Sequence, residues 1–572
     1  MRFGIFYEHQ LPRPWEEGSG EKLLKDALDQ VELADRVGFD YVWEVEHHFL
    51  EEYSHSSAPE VFLAAASQRT ERIRLGHGIV QLPPNFNHPA RIVERAATLD
   101  LISGGRVELG TGEASSQAEL GGFGVTRAAK REQWEEALDV VARMFVEEPF
   151  AGVAGKHVAI PPRNVVPKAK QKPHPPLWVA CSRRDTILMA ARKGLGALSF
   201  SFVEPEAAKE WVDEYYALIA SEECVPAGFA VNPNFAVVVP MMLHDDEAEA
   251  IARGIDGAHF FGYSLAHYYV FGEHRPGATN IWEEFLATRD ERGFARSIVT
   301  PDDAPLGVKL LQQGLGSLRG AVGTPDQVAD LCTRYEAAGV DQVIFVLQAG
   351  KNRHEHICES IELFGERVLP RFAPDAERRE QEKRERLAGA CAAALARREP
   401  ARTLEPGSYV IAPQDEPRPA YDAHAESGDG SLGDRARAAV TSAFGAFVKS
   451  RSDEQLDRLM ATGPGLKVIF RGMENAFVPE KARGFSGEIL YRLSGSHGTR
   501  SWTVRIDGER ALVEEREATD PAATLRAEIP VFVRIAAGEL DPARAMMEGT
   551  LEIEGDFAVV GRLGEMFGAD PR

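Results

Sequence analysis

The first 370 residues alternate between short apolar runs rich in β-branched residues and longer amphipathic stretches. The amphipathic stretches, such as residues 23–38 and 324–340, repeat apolar residues at i, i+3 and i+4 and close near a glycine, which is typical of helices. The candidate strands are the eight runs RFGIF, DYVWEVE, RIRLGHGIV, RVELGTG, PLWVACS, GALSFSF, NFAVVVPMML and QVIFVLQ. Eight strands that alternate with helices predict an α/β fold of the TIM (β/α)8 barrel type.

Two intervals are too long for simple connections, and we interpret them as insertions in the barrel. They are residues 150–175 and residues 254–322. The second contains the aromatic run HFFGYSLAHYYVFGEH, for which a lid, a subunit contact and ordinary helical core packing all stay open. The sequence assigns no role to this run.

The composition changes after residue 370. Residues 371–430 join a charged helical stretch to a segment rich in Pro, Gly and Asp, and they predict a linker. Residues 431–572 predict a separate α+β domain with amphipathic helices, the strands LKVIF and GEILYRLSG, a hairpin that turns at Asp507-Gly508, and TLEIEGD before a last helix.

Composition and charge exclude several classes of protein. The 572 residues carry a formal net charge of −23, which disfavours nucleic acid as a partner. The five cysteines form no CxxC pair, so neither a disulfide framework nor a tetrathiolate zinc site is expected. The N-terminus lacks a secretory pattern, and no apolar stretch approaches the length of a membrane span. We therefore expect a soluble, cytoplasmic protein.

Ionisable side chains concentrate at the end of the second predicted strand. A barrel carries its site at the carboxyl ends of its strands, and WEVEHHF places Glu44, Glu46, His47 and His48 there. Strand alternation separates His47 from the other three, so the four cannot all bind one metal without a sharp turn. Acid–base or hydrogen-bonding work on a bound cofactor is the favoured interpretation, with a metal site and a purely structural role as alternatives.

Small residues end the third and fourth predicted strands. Gly78 and Ile79 in the third, and Gly110 and Gly112 in the fourth, leave room for a planar ligand, although a simple bulge explains the third equally well. After the fifth strand, Cys181, Ser182 and Arg183 precede a helix and suit a phosphate; an ordinary helix cap with solvated arginines is the alternative. Neither a GxGxxG after the first strand nor a P-loop is present.

With these residues in view, residues 1 to about 370 resemble the bacterial luciferase-like flavin monooxygenases. The resemblance rests on five segments in family order: MRFGIFYEHQ, GFDYVWEVEHHF, GHGIVQLPPNFNHPARIVERAATLDLISGGRVELGTG, QKPHPPLWVA and VGTPDQVADLCTRYEAAGVDQVIF. It implies an enzyme that uses FMN, reduced during turnover, and O2 to oxygenate a small organic substrate. Electrons would come from NAD(P)H, directly or through a separate flavin reductase, and the early barrel helices would form a homodimer.

The resemblance also implies roles for individual residues. His47 would act beside the flavin ring, oriented by Glu46 and His48, and the ring would lie against a non-proline cis peptide at Gly78-Ile79. Cys181, Ser182 and Arg131 would contact the phosphate. This chain departs from the light-emitting enzymes after the fourth strand, where Gly112 and Glu113 replace a reactive Cys and an Arg, so a non-luminous monooxygenase is implied.

Residues 431–572 are similar to the sterol carrier protein type 2 fold, through ATLRAEIPVFVRIAAGELDPARAMMEGTLEIEGDF. Such domains bind lipids or acyl chains in an apolar tunnel, and some mediate packing only. Three other functions stay open: hydride transfer with a deazaflavin, metal-dependent hydrolysis through Glu46 and His48, and lipid carriage with an inactive barrel.

Overall fold

The chain is described from a computed structural model that divides into two compact units, Met1–Asp422 and Ala423–Arg572. The described residues are 1–200, 205–288, 320–405, 407–411, 447–461, 464–482, 485–507, 509–537, 539–540, 542–560 and 562–567. Within them, no helix combines the length and the apolar character needed to cross a membrane.

A closed barrel of eight parallel strands forms the centre of the first unit. The strands of this unit are β1 (Arg2–Tyr7), β2 (Tyr41–Glu44), β3 (Arg74–Gln81), β4 (Val107–Gly112), β5 (Val153–Ala154), β6 (Ala159–Ile160), β7 (Leu177–Cys181), β8 (Gly196–Ser199), β9 (Phe235–Leu243), β10 (Ala321–Gly323) and β11 (Gln342–Gln348). Strands β1 to β4, β7 to β9 and β11 pair in sequence order, and β11 closes the barrel on β1. These are the eight strands expected from the apolar runs, so the TIM-barrel prediction is confirmed.

Helices follow the barrel strands, and several of them pack against the outer face of the barrel. They are α1 (Ser19–Val37), α2 (Pro59–Arg69), α3 (Pro89–Ile102), α4 (Gln117–Gly122), α5 (Lys130–Val146), α6 (Arg184–Arg192), α7 (Pro205–Ile219), α8 (Glu247–Ala266), α9 (Ile281–Thr288), α10 (Pro325–Ala337), α11 (His354–Arg367) and α12 (Ala373–Arg397). A π-helix, His267–Phe271, continues α8, and a 3-10 turn, Leu369–Arg371, precedes α12. Sequence signals fix several ends: α1 stops at Gly38, whose φ is +112°, and α10 starts with a Thr324/Gln327 capping box.

The two insertions have separate structures. In residues 150–175, β5 and β6 form a small antiparallel hairpin. In the second insertion, α8 and the π-helix carry the aromatic run, and Phe260 and Phe261 are fully buried with Tyr53 and Phe285 in an aromatic cluster above the barrel. Helical core packing therefore accounts for this part of the run, while residues 289–319 lie outside the described residues.

A bulge deforms β3 near its carboxyl end. His77 pairs with Leu109 and Val80 with Thr111, so Gly78 and Ile79 together oppose the single residue Gly110. Every cis peptide within the described part of the chain precedes a proline, and the Gly78-Ile79 peptide is trans. The expected cis peptide is therefore wrong; the extra residue of the bulge redirects the backbone there instead.

The charged helix α12 packs on the amino-terminal end of the barrel rather than standing in solvent. Lys383 is buried, and its ammonium group lies 2.5 Å from Asn234 Oδ1 and 2.9 Å from Asp341 Oδ1. These contacts attach the helix to the residues immediately before β9 and β11, and the first unit continues well beyond residue 370.

The second unit is a five-stranded sheet with helices around its own core. Its strands are β12 (Ser486–Gly495), β13 (Gly498–Asp507), β14 (Ala511–Glu514), β15 (Ala523–Glu528) and β16 (Leu551–Gly555), in the order β14-β13-β12-β15-β16. Its helices are α13 (Asp453–Met460), α14 (Pro464–Ala476), α15 (Pro479–Ala482), α16 (Ile529–Ala536), α17 (Pro542–Met547), α18 (Phe557–Val560) and α19 (Leu563–Met566). The hairpin of β13 and β14 is antiparallel as expected, with Gly508 outside the described residues.

One predicted strand of this unit is wrong. The run LKVIF lies in helix α14, where Leu466, Ile469 and Phe470 are buried and Val468 is 72% exposed. Their spacing of three and four residues places the buried side chains on one helical face, and this period outweighs the β-branched character of the run.

Candidate functional site

A cavity of about 210 Å³ opens at the carboxyl-terminal end of the barrel, and we call it the mouth pocket. Its walls come from the ends of β2, β3, β4 and β7 and from the segments that follow them. A larger cavity of about 990 Å³ lies at the opposite end, where Arg2, Tyr41 and Gln342 begin or adjoin strands and α12 covers them. Because barrel enzymes build their sites at the carboxyl ends of the strands, the mouth pocket is the candidate site.

His47 lies in the mouth pocket between two carboxyl groups. Its Nδ1 is 3.0 Å from Glu119 Oε1, and its Nε2 is 3.6 Å from Glu8 Oε2. Burial alone would lower the pKa of His47, but the charges of Glu119 and Glu8 and the hydrogen bond to Glu119 outweigh burial and raise this pKa to about 9. The imidazole therefore holds a proton at neutral pH.

Glu119 is the carboxylate that orients this imidazole. Its Oε1 accepts hydrogen bonds from the amide of Gln81 at 2.7 Å and the main-chain N–H of His48 at 3.1 Å, and its Oε2 accepts from Ser116 at 2.6 Å. Burial opposes ionisation, yet the charge of His47 and the hydrogen bonds from His47, Ser116 and the main chain of His48 lower the pKa of Glu119. The structure thus gives the orienting role, expected of Glu46 and His48, to a residue of helix α4.

Glu46 and His48 form a pair of their own. His48 Nε2 lies 3.1 Å from Glu46 Oε1, and Glu46 also accepts from the main-chain N–H of Gln81 at 2.8 Å and the amide of Asn87 at 2.7 Å. Strand β2 ends at Glu44, so strand alternation does not fix the side-chain directions of the residues that follow it. Neither Glu46 nor His48 lines the mouth pocket, whereas His47 does.

The bulge in β3 forms one wall of the pocket. Gly78, Ile79 and Gly112 line it, and Gly110 does not. A Cβ on Gly110 would lie 2.1 Å from the carbonyl oxygen of His77, so glycine is needed there for strand packing. At Gly112 a Cβ would meet the Ile79 side chain at 2.5 Å. The main role of the two glycines of β4 is therefore to make room for the bulged strand β3. Gly112 also borders the pocket.

Basic residues gather at the other side of the pocket. Arg127, Lys130, Arg131 and Arg183 line it together with Ser182, and Glu113 is the acidic residue among them. The guanidinium of Arg131 makes a bidentate ion pair with Glu113, with both N–O distances 2.9 Å, and Lys130 lies 3.5 Å from the same carboxylate. This side presents donors and positive charge of the kind that phosphate binds.

Cys181 does not reach the pocket. Its side chain is fully buried, its thiol lies 3.4 Å from the carbonyl oxygen of Val179, and burial raises its pKa to about 12. Its side chain therefore does not line the pocket in which the phosphate contact was expected. Ser182 and Arg183, the next two residues, do line the pocket at the start of α6.

Known protein families match both units of the chain. Residues 1–342, more than half of the chain, match the luciferase-like monooxygenase family. The chain belongs to that family. Residues 467–568 match the SCP-2 sterol transfer family, so the expected fusion of a luciferase-like unit with a sterol-carrier-like domain is confirmed.

Individual relatives cover different shares of the chain. The 4-hydroxyprotoasukamycin monooxygenase of Streptomyces nodosus subsp. asukaensis is 38% identical over 27% of this chain and 40% of its own length. The oxygenase component of the flavin-dependent trigonelline monooxygenase of Acinetobacter baylyi is 24% identical over 65% of this chain and 96% of its own. Monooxygenase RslO1 from Streptomyces bottropensis is 26% identical with a TM-score of 0.51, and the match covers 65% of this chain and 100% of RslO1. The chain spans about half the length, or less, of several curated relatives.

The sequence analysis did not identify two residues that contact His47, namely Glu8 and Glu119. Glu8 directly follows β1, and its position at the end of a strand could have pointed to the site. The sequence does not distinguish it from the polar residues next to it. Glu119 lies on a short helix 72 positions from His47, and only the fold brings the two together. Within the described part of the chain, no three His, Cys, Asp or Glu side chains are grouped to hold a metal ion.

Proposed function

We propose that this protein is a flavin-dependent monooxygenase that uses reduced FMN and O2 to oxygenate a small organic substrate. One observation carries the proposal: the mouth pocket joins a basic, hydroxyl-bearing side to a histidine held between carboxyl groups. A pocket with basic residues on one side and His47 on the other suits a cofactor that has a phosphate at one end and a reactive ring at the other.

The residues present fit FMN. Ser182, Arg183 and Arg131, with main-chain N–H groups at the start of α6, would hold the phosphate. The bulged wall at Gly78 and Ile79, with Val179, Phe200 and Leu265, offers apolar surface to the ring. Oε2 of buried Glu8 receives no hydrogen bond, and a ligand in the pocket could supply one.

His47 would perform the proton chemistry beside the ring. Bound FMN in its reduced form supplies the electrons for O2 activation. Because its pKa is raised to about 9, His47 is protonated at neutral pH and donates a hydrogen bond or a proton to an oxygen or nitrogen atom of the ligand. Glu119 fixes the ring orientation through Nδ1 and leaves Nε2 for that work.

Two features bear on the source of the electrons and on the class of substrate. The trigonelline relative is named as an oxygenase component, which supports a separate reductase that supplies reduced flavin, with NAD(P)H as the electron source. The apolar pocket residues and the sterol-carrier-like domain both favour a hydrophobic substrate, with a lipid or acyl chain as the ligand of that domain.

The test is an equilibrium titration of metal-stripped protein with FMN, riboflavin and a deazaflavin cofactor, followed by anaerobic reduction and exposure to O2. We expect FMN to bind more tightly than riboflavin, and Arg183→Gln to reduce that preference. Arg192→Gln, on the same helix but outside the pocket in a surface pair with Glu223, is the matched control. Preference for the deazaflavin would redirect the proposal to hydride transfer, and no flavin binding would refute it.

A further inference from the structure

Only one of the two carboxyl oxygens of Glu8 accepts a hydrogen bond. Glu8 is 2% exposed, and its Oε1 accepts a hydrogen bond from the Tyr53 hydroxyl at 2.8 Å. Its Oε2 has no hydrogen-bond partner, although the residue lines the mouth pocket. A buried carboxylate oxygen without a donor is costly unless it carries a proton or meets a ligand.

Glu8 and Glu119 differ sharply although both face His47. Glu119 receives hydrogen bonds from Ser116, Gln81 and the main chain of His48 in addition to its contact with the imidazole. Glu8 receives one, from Tyr53. Donors stabilise the ionised form, so Glu119 is the fixed anion of the network and Glu8 is the carboxyl group that gains and loses a proton.

The other ionisable groups around Glu8 do not satisfy its free oxygen. Glu44, from β2, is occupied by His9 Nε2 at 2.9 Å and by the Ser56 hydroxyl at 2.5 Å. Tyr269, from the π-helix, lines the same pocket, and burial followed by the charges of Glu119 and Glu8 raises its pKa. His47 Nε2, at 3.6 Å, is the nearest titrating nitrogen.

We propose that Glu8 is a second proton-carrying residue of the site, which passes a proton between His47 Nε2 and the ligand bound in the mouth pocket. The proton on Oε2 goes to an acceptor oxygen or nitrogen of the ligand, leaving Glu8 as a carboxylate. His47 Nε2–H then returns a proton to Oε2 and becomes neutral, and solvent reprotonates it. The identity of the ligand rests on the proposed function, but the coupling of Glu8 to His47 belongs to the protein alone.

The electrostatics of the pocket agree with this geometry. Burial raises the pKa of Glu8 to about 7, against the opposing effects of the His47 charge and the Tyr53 hydroxyl. Glu8 therefore titrates close to neutral pH, and its ionisation in turn stabilises protonated His47. Two interacting groups of this kind titrate as a pair, so the ionisation of one is visible in the titration of the other.

The test is an NMR titration of histidine-labelled full-length protein without flavin, with the His47 signal assigned by its loss in His47→Gln. In the wild type we expect two steps, one near pH 7 from Glu8 and a larger one near pH 9 from the imidazole itself. In Glu8→Gln the first step should vanish, and the second should move down by about one pH unit because one of two neighbouring anions is gone.

Tyr53→Phe is the matched control because it removes the donor to Glu8 and keeps both carboxyl groups. The first step should then remain but move to higher pH. A wild-type curve with a single step, or the same His47 midpoint in the wild type and in Glu8→Gln, would overturn the proposal, and the wild-type curve alone suffices if the variant does not fold.

A second measurement links the coupling to the reaction. In the FMN-loaded protein, the rate at which O2 reoxidises reduced FMN should change across pH 7 in the wild type and lose that change in Glu8→Gln. An identical pH profile in both proteins would show that Glu8 carries no proton in the reaction. If FMN does not bind the wild type, the proposed function fails, and the flavin-free titration still decides the role of Glu8.

Discussion

The ion pair between Glu113 and Arg131 opposes the binding that the pocket otherwise favours. Arg131 is one of the four basic residues on one side of the pocket, and its guanidinium is already engaged by both oxygens of Glu113. A phosphate must compete with this carboxylate for Arg131, and the negative charge of the carboxylate also repels it. Glu113 would therefore limit how tightly the proposed site holds a phosphorylated cofactor.

Replacing Glu113 with Gln should strengthen FMN binding roughly fivefold, the equivalent of about 1 kcal/mol, and leave riboflavin unchanged because it lacks the phosphate. Equilibrium titrations with both ligands measure this difference directly. Glu132 lies next to Arg131 on α5 and pairs with exposed Lys156; Glu132→Gln is the control and should change neither affinity. Equal gains for FMN and riboflavin would contradict the account of Glu113.

The raised pKa of His47 predicts how its contribution to stability varies with pH. The pKa in the folded protein, about 9, lies above the ordinary value of 6.5, so protonated His47 stabilises the fold fully below about pH 6.5. That contribution is lost as the pH rises through 9. The difference in Tm between the wild type and His47→Gln should therefore be largest near pH 6 and small above pH 9.5, as measured by thermal unfolding. A difference that grows with pH would contradict the assigned charge.

At the scale of elements, the bulge in β3 shapes the pocket wall, and Gly110 makes the bulge possible. Gly110→Ala would place a Cβ 2.1 Å from the His77 carbonyl oxygen, whereas Gly78→Ala meets Phe6 and Trp43 at 3.4 Å. We expect Gly110→Ala to destabilise the luciferase-like unit by roughly 1–3 kcal/mol, or to prevent its folding, and Gly78→Ala to cost less. Denaturant unfolding of the two variants tests this order, and the reverse order would contradict the role of the bulge.

The elements also show which parts of the structure the sequence can predict. Buried parallel strands read as continuous apolar runs, so all eight barrel strands were found, and the strand-end rule led to His47. The strand predicted for LKVIF is wrong because five apolar or amphipathic residues fit either a strand or one face of a helix. Which of its residues are buried, namely Leu466, Ile469 and Phe470, is known only from the folded structure. Glu8 and Glu119 could not be paired with His47 because their contacts cross 39 and 72 positions and depend on how the loops fold.

At the scale of the whole molecule, the chain contains two units with separate hydrophobic cores. The core of the second unit contains Phe470 stacked on Trp502 and Phe532, with ring centroids 4.7 Å and 5.1 Å apart. The barrel core lies entirely within the first unit. The flavin chemistry that we propose would therefore use the luciferase-like unit alone, and the sterol-carrier-like unit has a core of its own.

The early barrel helices are also the expected surface for a homodimer. Leu24 of α1, Val61 of α2 and Ile102 of α3 are 40%, 66% and 50% exposed on neighbouring helices. We expect sedimentation to show a dimer and the double variant Val61→Asp, Ile102→Asp to be monomeric, because each substitution would bury an unpaired charge. Val225→Asp, at an exposed apolar position elsewhere in the unit, should stay dimeric. A monomeric wild type would refute the dimer.

The most direct test of the central claim is a structure of the full-length protein crystallised with FMN. The account predicts that the flavin ring lies in the mouth pocket beside His47 and the bulged wall at Gly78 and Ile79, with its phosphate on Ser182, Arg183 and Arg131. FMN bound at the amino-terminal cavity, in the sterol-carrier-like unit, or with its phosphate toward Glu8 would contradict it.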